Sequence, residues 1–192
     1  MRLRWPITGD VGGRRTRVSL LAFASTLTLL LVLAAGAGGA SKPARTMAAA
    51  RGLETNVLAE LNGIRRRHGL APLKLSKPLS AAADAHSRAM GTYGFFAHDS
   101  RDGSAFWKRV QHYYVPRGYR NWSVGENLLW SSGTLTAPVA LNLWMKSPGH
   151  RKNILTAGWR EIGISAMAVR AAPGVFGGRD VVIITTDFGT RS

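Results

Sequence analysis

From Leu53 onward the apolar positions recur with helical spacing. Leu53, Val57, Leu61, Ile64 and His68 fall three or four residues apart, which places them on one face of a helix that Gly69 ends. A second helix is predicted after a short extended piece, with Ser76 as its cap and Pro78 in its first turn. Its inward stripe is Leu79, Ala82, Ala83, His86 and Met90, and the small residues Ala81 to Ala83 and Ala85 allow a close neighbour. The aromatic run from Tyr93 to His98 breaks that helix and leads into the turn composition Asp99-Ser100-Arg101-Asp102-Gly103. Ser104 then caps a third, short helix containing Phe106, Trp107 and Val110, and His112 to Ser123 read as irregular surface chain. Val124 to Leu129 turn apolar again around a Glu-Asn pair. Thr136 and Pro138 open a fourth helix with Val139, Leu143 and Trp144 facing inward, and His150 to Leu155 form one more short helix after Pro148-Gly149. The period changes in the last third. Ile162 to Val169 and Val181 to Thr186 are β-like runs joined by a Pro/Gly-rich connection, so they pair most simply as an antiparallel hairpin. Helices first and a hairpin last specify an α+β domain rather than alternating βαβ units.

Upstream of the domain, Arg14, Arg15 and Arg17 precede an uncharged apolar stretch from Val18 to about Ala37, followed by small residues that offer two A-x-A-like cleavage sites. Residues 1–40 therefore read as an export signal, either cleaved or retained as a membrane anchor through residues 18–37. Residues 41–52 read as a linker and residues 53–192 as one domain. The expected location is secreted or extracytoplasmic.

Charge changes the picture less than it first suggests. The whole chain carries a formal +16, and residues 41–192 alone hold 21 basic and 9 acidic residues, a net +12. Such a surface attracts anionic partners: lipid headgroups or acidic wall polymers. The basic residues are spread along the chain, without the clustered basic and aromatic pattern of a specific nucleic-acid reader. There is no cysteine, so stability must come from packing, a bacterial rather than an animal or plant solution for an exported domain. About 150 residues suffice for such a core without metal or disulfide. A monomer is expected.

Of five histidines, His68 and His86 lie on apolar helix faces and read as structural, and His112 lies in a polar stretch. His98 and His150 each sit at a break, and Glu126 sits between Gly125 and Asn127 in an otherwise apolar segment. A carboxylate in that setting is either paired or functional. If His98, Glu126 and His150 converge, they form a three-ligand site for a divalent cation such as zinc, with an open position. Their separations of 28 and 24 residues also suit three unrelated polar residues in loops.

Several motifs in order carry a resemblance. Leu61-Asn62 with Arg65 and His68-Gly69-Leu70-Ala71-Pro72-Leu73 come first, then Phe95-Phe96-Ala97-His98-Asp99 and Gly125-Glu126-Asn127-Leu128. Trp144-Met145-Lys146-Ser147-Pro148-Gly149-His150-Arg151-Lys152-Asn153-Ile154-Leu155, Ile162-Gly163 and Asp187-Phe188-Gly189 follow. Together they resemble the CAP superfamily (cysteine-rich secretory proteins, antigen 5 and pathogenesis-related 1 proteins; the SCP domain), over roughly residues 54–189. The resemblance implies a three-layer α-β-α sandwich around a central, mainly antiparallel sheet, with a cleft lined by His98, Glu126 and His150. In animal and plant relatives a second glutamate stands where this chain has Ser147. That serine, just before Pro148 at a helix end, reads as a turn or capping residue of the cleft rather than a nucleophile. The resemblance further implies that Asn127, Arg151 and Asn153 hydrogen-bond loops around the cleft, Trp144 and Phe188 pack in the core, and Glu161 pairs with a base. Asp187 reads as a charge at a strand end. Two functions stay open: a non-catalytic module binding a divalent cation and a lipid-like or envelope ligand, or a metal-dependent, peptidase-like hydrolase using His98, His150 and Glu126, with Glu126 as the base.

Overall fold

The computed structural model describes residues 47–192, so the segment read as an export signal lies outside the described residues. The elements run β1 (Met47–Ala49), α1 (Arg51–Arg67), β2 (Lys74–Leu75), α2 (Lys77–Tyr93), α3 (Phe106–Tyr113), β3 (Trp122–Ser132), α4 (Ala137–Lys146), α5 (Pro148–Leu155), β4 (Glu161–Ala172) and β5 (Arg179–Arg191). A short 3-10 turn, Gly174–Phe176, joins the last two strands.

The β4–β5 hairpin is the centre of the sheet. Its order is β1-β4-β5-β3 with every one of these pairs antiparallel, and β2 adds a short parallel pairing to β4. Period-two alternation divides β4 and β5 between two layers. Ile162, Ile164, Ala166, Ile184 and Phe188 join one core with α1, α4 and α5, whereas Met167, Val169, Val181 and Ile183 join Met90 of α2 on the other face. Leu79 and Ala82 of α2 pack with Val110 of α3 and Tyr114 in a third cluster. The result is the expected α-β-α sandwich around a mainly antiparallel sheet. The alanine-rich face of α2 lies so close to the sheet that a Cβ on Gly163 would sit 2.0 Å from the carbonyl carbon of Leu79.

The α2 stripe is buried as its spacing predicts, and Trp144 and Phe188 are core residues. Three expectations need correction. His68 is the exposed C-cap residue of α1, and the inward position four residues after Leu61 belongs to Arg65, which is fully buried. That guanidinium is tolerated because carbonyls replace its water: Nε donates to Ala71 O at 2.9 Å, and Nη1 to Ile154 O at 2.7 Å and Thr156 O at 3.0 Å. Val139 is 48% exposed, because α4 begins at Ala137 and turns Ala140, Leu141 and Trp144 inward instead. Met47–Ala49, read as linker, hydrogen-bond to Val169–Met167 as the outer strand beside β4.

Strand β3 ends the sheet on the other side, and a bare edge would invite pairing with a foreign strand. Two helix side chains cover it: Trp144 Nε1 donates to Leu128 O at 3.0 Å and Asn153 Nδ2 to Glu126 O at 3.0 Å.

Candidate functional site

The site is built on that covered edge. Glu126 and Asn127 are consecutive in β3, so their side chains leave on opposite faces of the sheet. Glu126 turns toward the α2–α3 layer and Asn127 toward α5, where its Nδ2 donates to His150 O at 3.1 Å. Asn153 of α5 also donates to Asn127 Oδ1 at 2.9 Å, tying the helix that carries His150 to the strand that carries Glu126. Asn127 and Asn153 thus hold the walls together as the motif implies.

Glu126 has a side chain only 1% exposed, and both of its oxygens are in use. His98 Nδ1 donates to Oε1 at 2.8 Å, and Arg109 Nη2 donates to Oε2 in a very short charged contact. A buried carboxylate without such partners would be strongly destabilising. Arg109, itself 10% exposed, also reaches His98 O and Ser100 Oγ, both at 3.2 Å, so one guanidinium fixes the carboxylate and the loop bearing the histidine. The His98 side chain is half exposed. With Nδ1 committed to Glu126, Nε2 is the ring nitrogen that remains.

His150 stands in the first turn of α5 and is half-buried. Burial, and then the nearby His98, hold its pKa below the usual histidine value. At neutral pH it is therefore an uncharged imidazole beside His98. Ser147 is the residue between α4 and α5, and its hydroxyl makes no capping hydrogen bond. Its backbone shapes the turn: Ser147 N donates to Trp144 O at 3.1 Å and Arg151 N to Ser147 O at 2.9 Å. His112 is exposed, as expected.

Behind His98 lies His86, buried in α2, whose Nε2 donates to Ala97 O at 2.8 Å and whose ring meets Phe95 edge-on. Desolvation dominates its titration and lowers its pKa to about 4, against the opposing attraction of Glu126. It is the satisfied structural histidine that its helix position predicted.

Sequence reasoning missed two members of this array. Arg109 had a signal, since it lies three residues after Phe106 and beside Val110, on the inward side of α3. Asp187 had a weaker one. Far from marking a strand end, it is in the interior of β5, fully buried, and directly opposite Glu126 in the antiparallel register. Burial and the neighbouring Glu126 charge push its pKa well above the usual carboxylate value. The two carboxyl groups are close enough to influence each other's protonation, yet neither Asp187 oxygen makes a hydrogen bond of good geometry. Glu161 pairs with Arg191 at 3.8 Å, as expected, and also accepts from Tyr114.

Of the His98, Glu126 and His150 set, Glu126 is the member whose two oxygens are both engaged. Glu126 is sealed from solvent by His98 and Arg109, and among the described residues no group of three or more His, Cys, Asp or Glu is arranged to hold a metal. What fits is a carboxylate that orients a histidine ring.

The comparisons with known proteins agree with this architecture. Residues 58–176 match the model of the cysteine-rich secretory protein family, CAP. Bacillus subtilis YkwD is 32% identical over 111 residues, 58% of this chain and 41% of that protein. The B. subtilis membrane protein YlbC is 30% identical over 111 residues, 58% of this chain and 30% of its own length. The chain thus spans less than half the length of these curated relatives. A crystal structure of an extracellular protein containing a SCP domain from Bacillus anthracis is 28% identical with a TM-score of 0.55, covering 72% of this chain and 40% of that one. An outer surface protein from Borrelia burgdorferi, 16% identical with a TM-score of 0.59, shares the fold over 77% of this chain and 98% of its own. With the motif order and the sandwich in agreement with a family model that matches most of the chain, this protein belongs to the CAP family and carries a bacterial-type SCP domain.

Proposed function

We propose that the domain is a non-catalytic binding module of the cell exterior or envelope. Its cleft, between the loop bearing His98 and the first turn of α5, takes a divalent cation through His98 Nε2 and His150, and a lipid-like or envelope ligand beside it. The observation that carries this reading is the state of Glu126. A general base must meet the water it activates, whereas Glu126 is 1% exposed and already holds His98 and Arg109. That arrangement suits a residue that fixes a histidine ring and its tautomer. The second reading, a hydrolase with Glu126 as base, has no such support. Export is supported by the apolar segment at residues 18–37 and by similarity to the extracellular B. anthracis protein.

The test uses the full chain. Bound zinc is measured by elemental analysis, co-purifying lipid by mass spectrometry, and turnover on a peptide library. Zinc is expected to be lost in His98→Ala and His150→Ala, and to weaken by about 10–100-fold in Glu126→Gln, because only the ring's support is removed. Peptide turnover abolished by both Glu126→Gln and His150→Ala in folded protein would replace the module by the hydrolase. Absence of both metal and lipid from the wild type would end the proposal.

A further inference from the structure

Half of the large apolar side chains that stand out from the described residues come from one short stretch of chain. Trp107, Tyr113, Val115 and Tyr119 are 37–46% exposed. Lys108, Arg117 and Arg120 are exposed among them, and no acidic residue occurs between Asp102 and Glu126. From His112 on, the sequence reads as irregular surface chain; in the structure Arg191 and Trp122 bind its backbone and rings. Arg191 lies over the rings of Tyr114 and Tyr119 at 4.1 and 4.9 Å, and its Nη1 donates to Val115 O at 3.4 Å. Trp122 Nε1 donates to Tyr114 O at 2.8 Å from below. The apolar groups are therefore displayed by a fixed backbone rather than waiting to fold inward.

We infer that α3 and the segment after it, residues 107–120, form a docking surface for an anionic lipid bilayer. Trp and Tyr present an apolar body with a polar tip, the pattern suited to the headgroup boundary, and Lys and Arg can rest their stems on it while their charges meet anionic lipid. The Lys108 ammonium already sits 5.7 Å from the Trp107 ring centre, so one pair supplies both contacts. Charge complementarity favours an anionic surface, and the outward apolar groups, Val115 among them, favour a bilayer over a soluble acidic polymer, which offers them no apolar phase. Arg109 and Val110 occupy the inward side of the same helix, Arg109 holding Glu126 and His98. Docking would accordingly bring the His98 cleft near the headgroups. It needs no particular ligand in that cleft, so this surface and the proposed function stand or fall separately.

The test is position-specific, because residues 18–37 can bind vesicles themselves. Full-length protein is mixed with phosphatidylcholine vesicles carrying brominated chains, with and without about one-third phosphatidylglycerol, and tryptophan quenching is compared between wild type and Trp107→Phe. The N-terminal segment is identical in both and cancels. The expected result is a quenching component on anionic vesicles that disappears in Trp107→Phe. Each basic residue near an anionic surface is worth about a fivefold change in partitioning. Lys108→Glu/Arg117→Glu/Arg120→Glu should therefore weaken that component by more than about 100-fold, and so should neutral vesicles. Quenching indifferent to Trp107, or equal on neutral and anionic vesicles, would overturn the inference. So would saturable binding of a soluble polyphosphate with no vesicle quenching, which would identify a polymer as the partner.

Discussion

Lowering the pH from 7 to 4.5 should destabilise this domain through His86. The ring is 1% exposed and its pKa is lowered from 6.5 to about 4, chiefly because burial disfavours the imidazolium. The groups acting on it are Glu126, which favours the proton, Arg109 and His98, which oppose it, and the Ala97 carbonyl that accepts from Nε2. Since the folded value lies below the unfolded one, the unfolded chain takes up the proton first. The stability contributed by neutral His86 is thus complete above about pH 6.5, falls as the pH drops toward 4, and is constant below that. Linkage between those two values gives a loss of about 2.5 kcal/mol between pH 7 and 4.5. Asp187 works in the opposite sense, because its raised folded pKa makes acid favour the native state. The assay must therefore be a difference. Urea unfolding of wild type and His86→Gln is compared at both pH values, since the amide keeps a donor for Ala97 O but does not titrate in this range. Wild type should lose about 2.5 kcal/mol more than the variant, whatever Asp187 contributes to both. Parallel losses in the two proteins would refute the assignment of a neutral, desolvated His86.

Three further outcomes follow from packing and pairing, each measurable by urea unfolding at pH 7. Arg109→Met removes the cation from a carboxylate that is 1% exposed and should cost about 3–5 kcal/mol, partly recovered by adding Glu126→Gln; a loss below about 1 kcal/mol would mean that His98 alone suffices. Gly163→Ala places a methyl 2.0 Å from the Leu79 carbonyl carbon, so α2 must move off the sheet at a cost of about 3 kcal/mol. The control Gly158→Ala, with open space around it, should change stability by less than about 0.5 kcal/mol. Trp144→Phe leaves the Leu128 carbonyl, at the covered edge of β3, without its donor and should cost about 1–3 kcal/mol.

Which features were legible in the sequence depended on how local their causes are. The inward stripe of α2 is written in one period, and so is the pairing of the two C-terminal β runs; both stand in the structure. The face of α1 was legible only in part. Apolar spacing cannot reveal that Arg65, rather than His68, is received by three carbonyls, two of them about ninety residues away. Strand β3 was hidden for a related reason: Glu126 and Asn127 interrupt its apolar run, and the partners that make them tolerable come from α3, α5 and the loop before α3. His98, Glu126 and His150 stood out by their settings, at breaks and in an apolar run, and the motif resemblance grouped them, because separations of 28 and 24 residues carry no geometric information. Asp187 escaped both routes, since only the register of β3 against β5 places it opposite Glu126.

That register bears on the departure at Ser147, where the resemblance leads one to expect a second carboxylate on the cleft wall. A second carboxyl group does belong to the array, but Asp187 stands beside Glu126 in the neighbouring strand, fully buried, where burial and the Glu126 charge raise its pKa and so disfavour its charged form. Around Ser147 the exposed charged residues are Lys146, Arg151 and Lys152. The charge of Glu126 is meanwhile offset by Arg109. The cleft therefore presents two imidazoles with little carboxylate field, on a wall flanked by cations. A cation held there relies on imidazole donors alone, so its retention should be limited by histidine protonation as the pH falls. An anionic group on an envelope ligand meets no repelling carboxylate at the same wall. Restoring the missing charge with Ser147→Glu would shift that balance, strengthening cation retention while weakening an anionic ligand. Both shifting the same way, measured as zinc and lipid content of the full chain, would contradict this account of the wall.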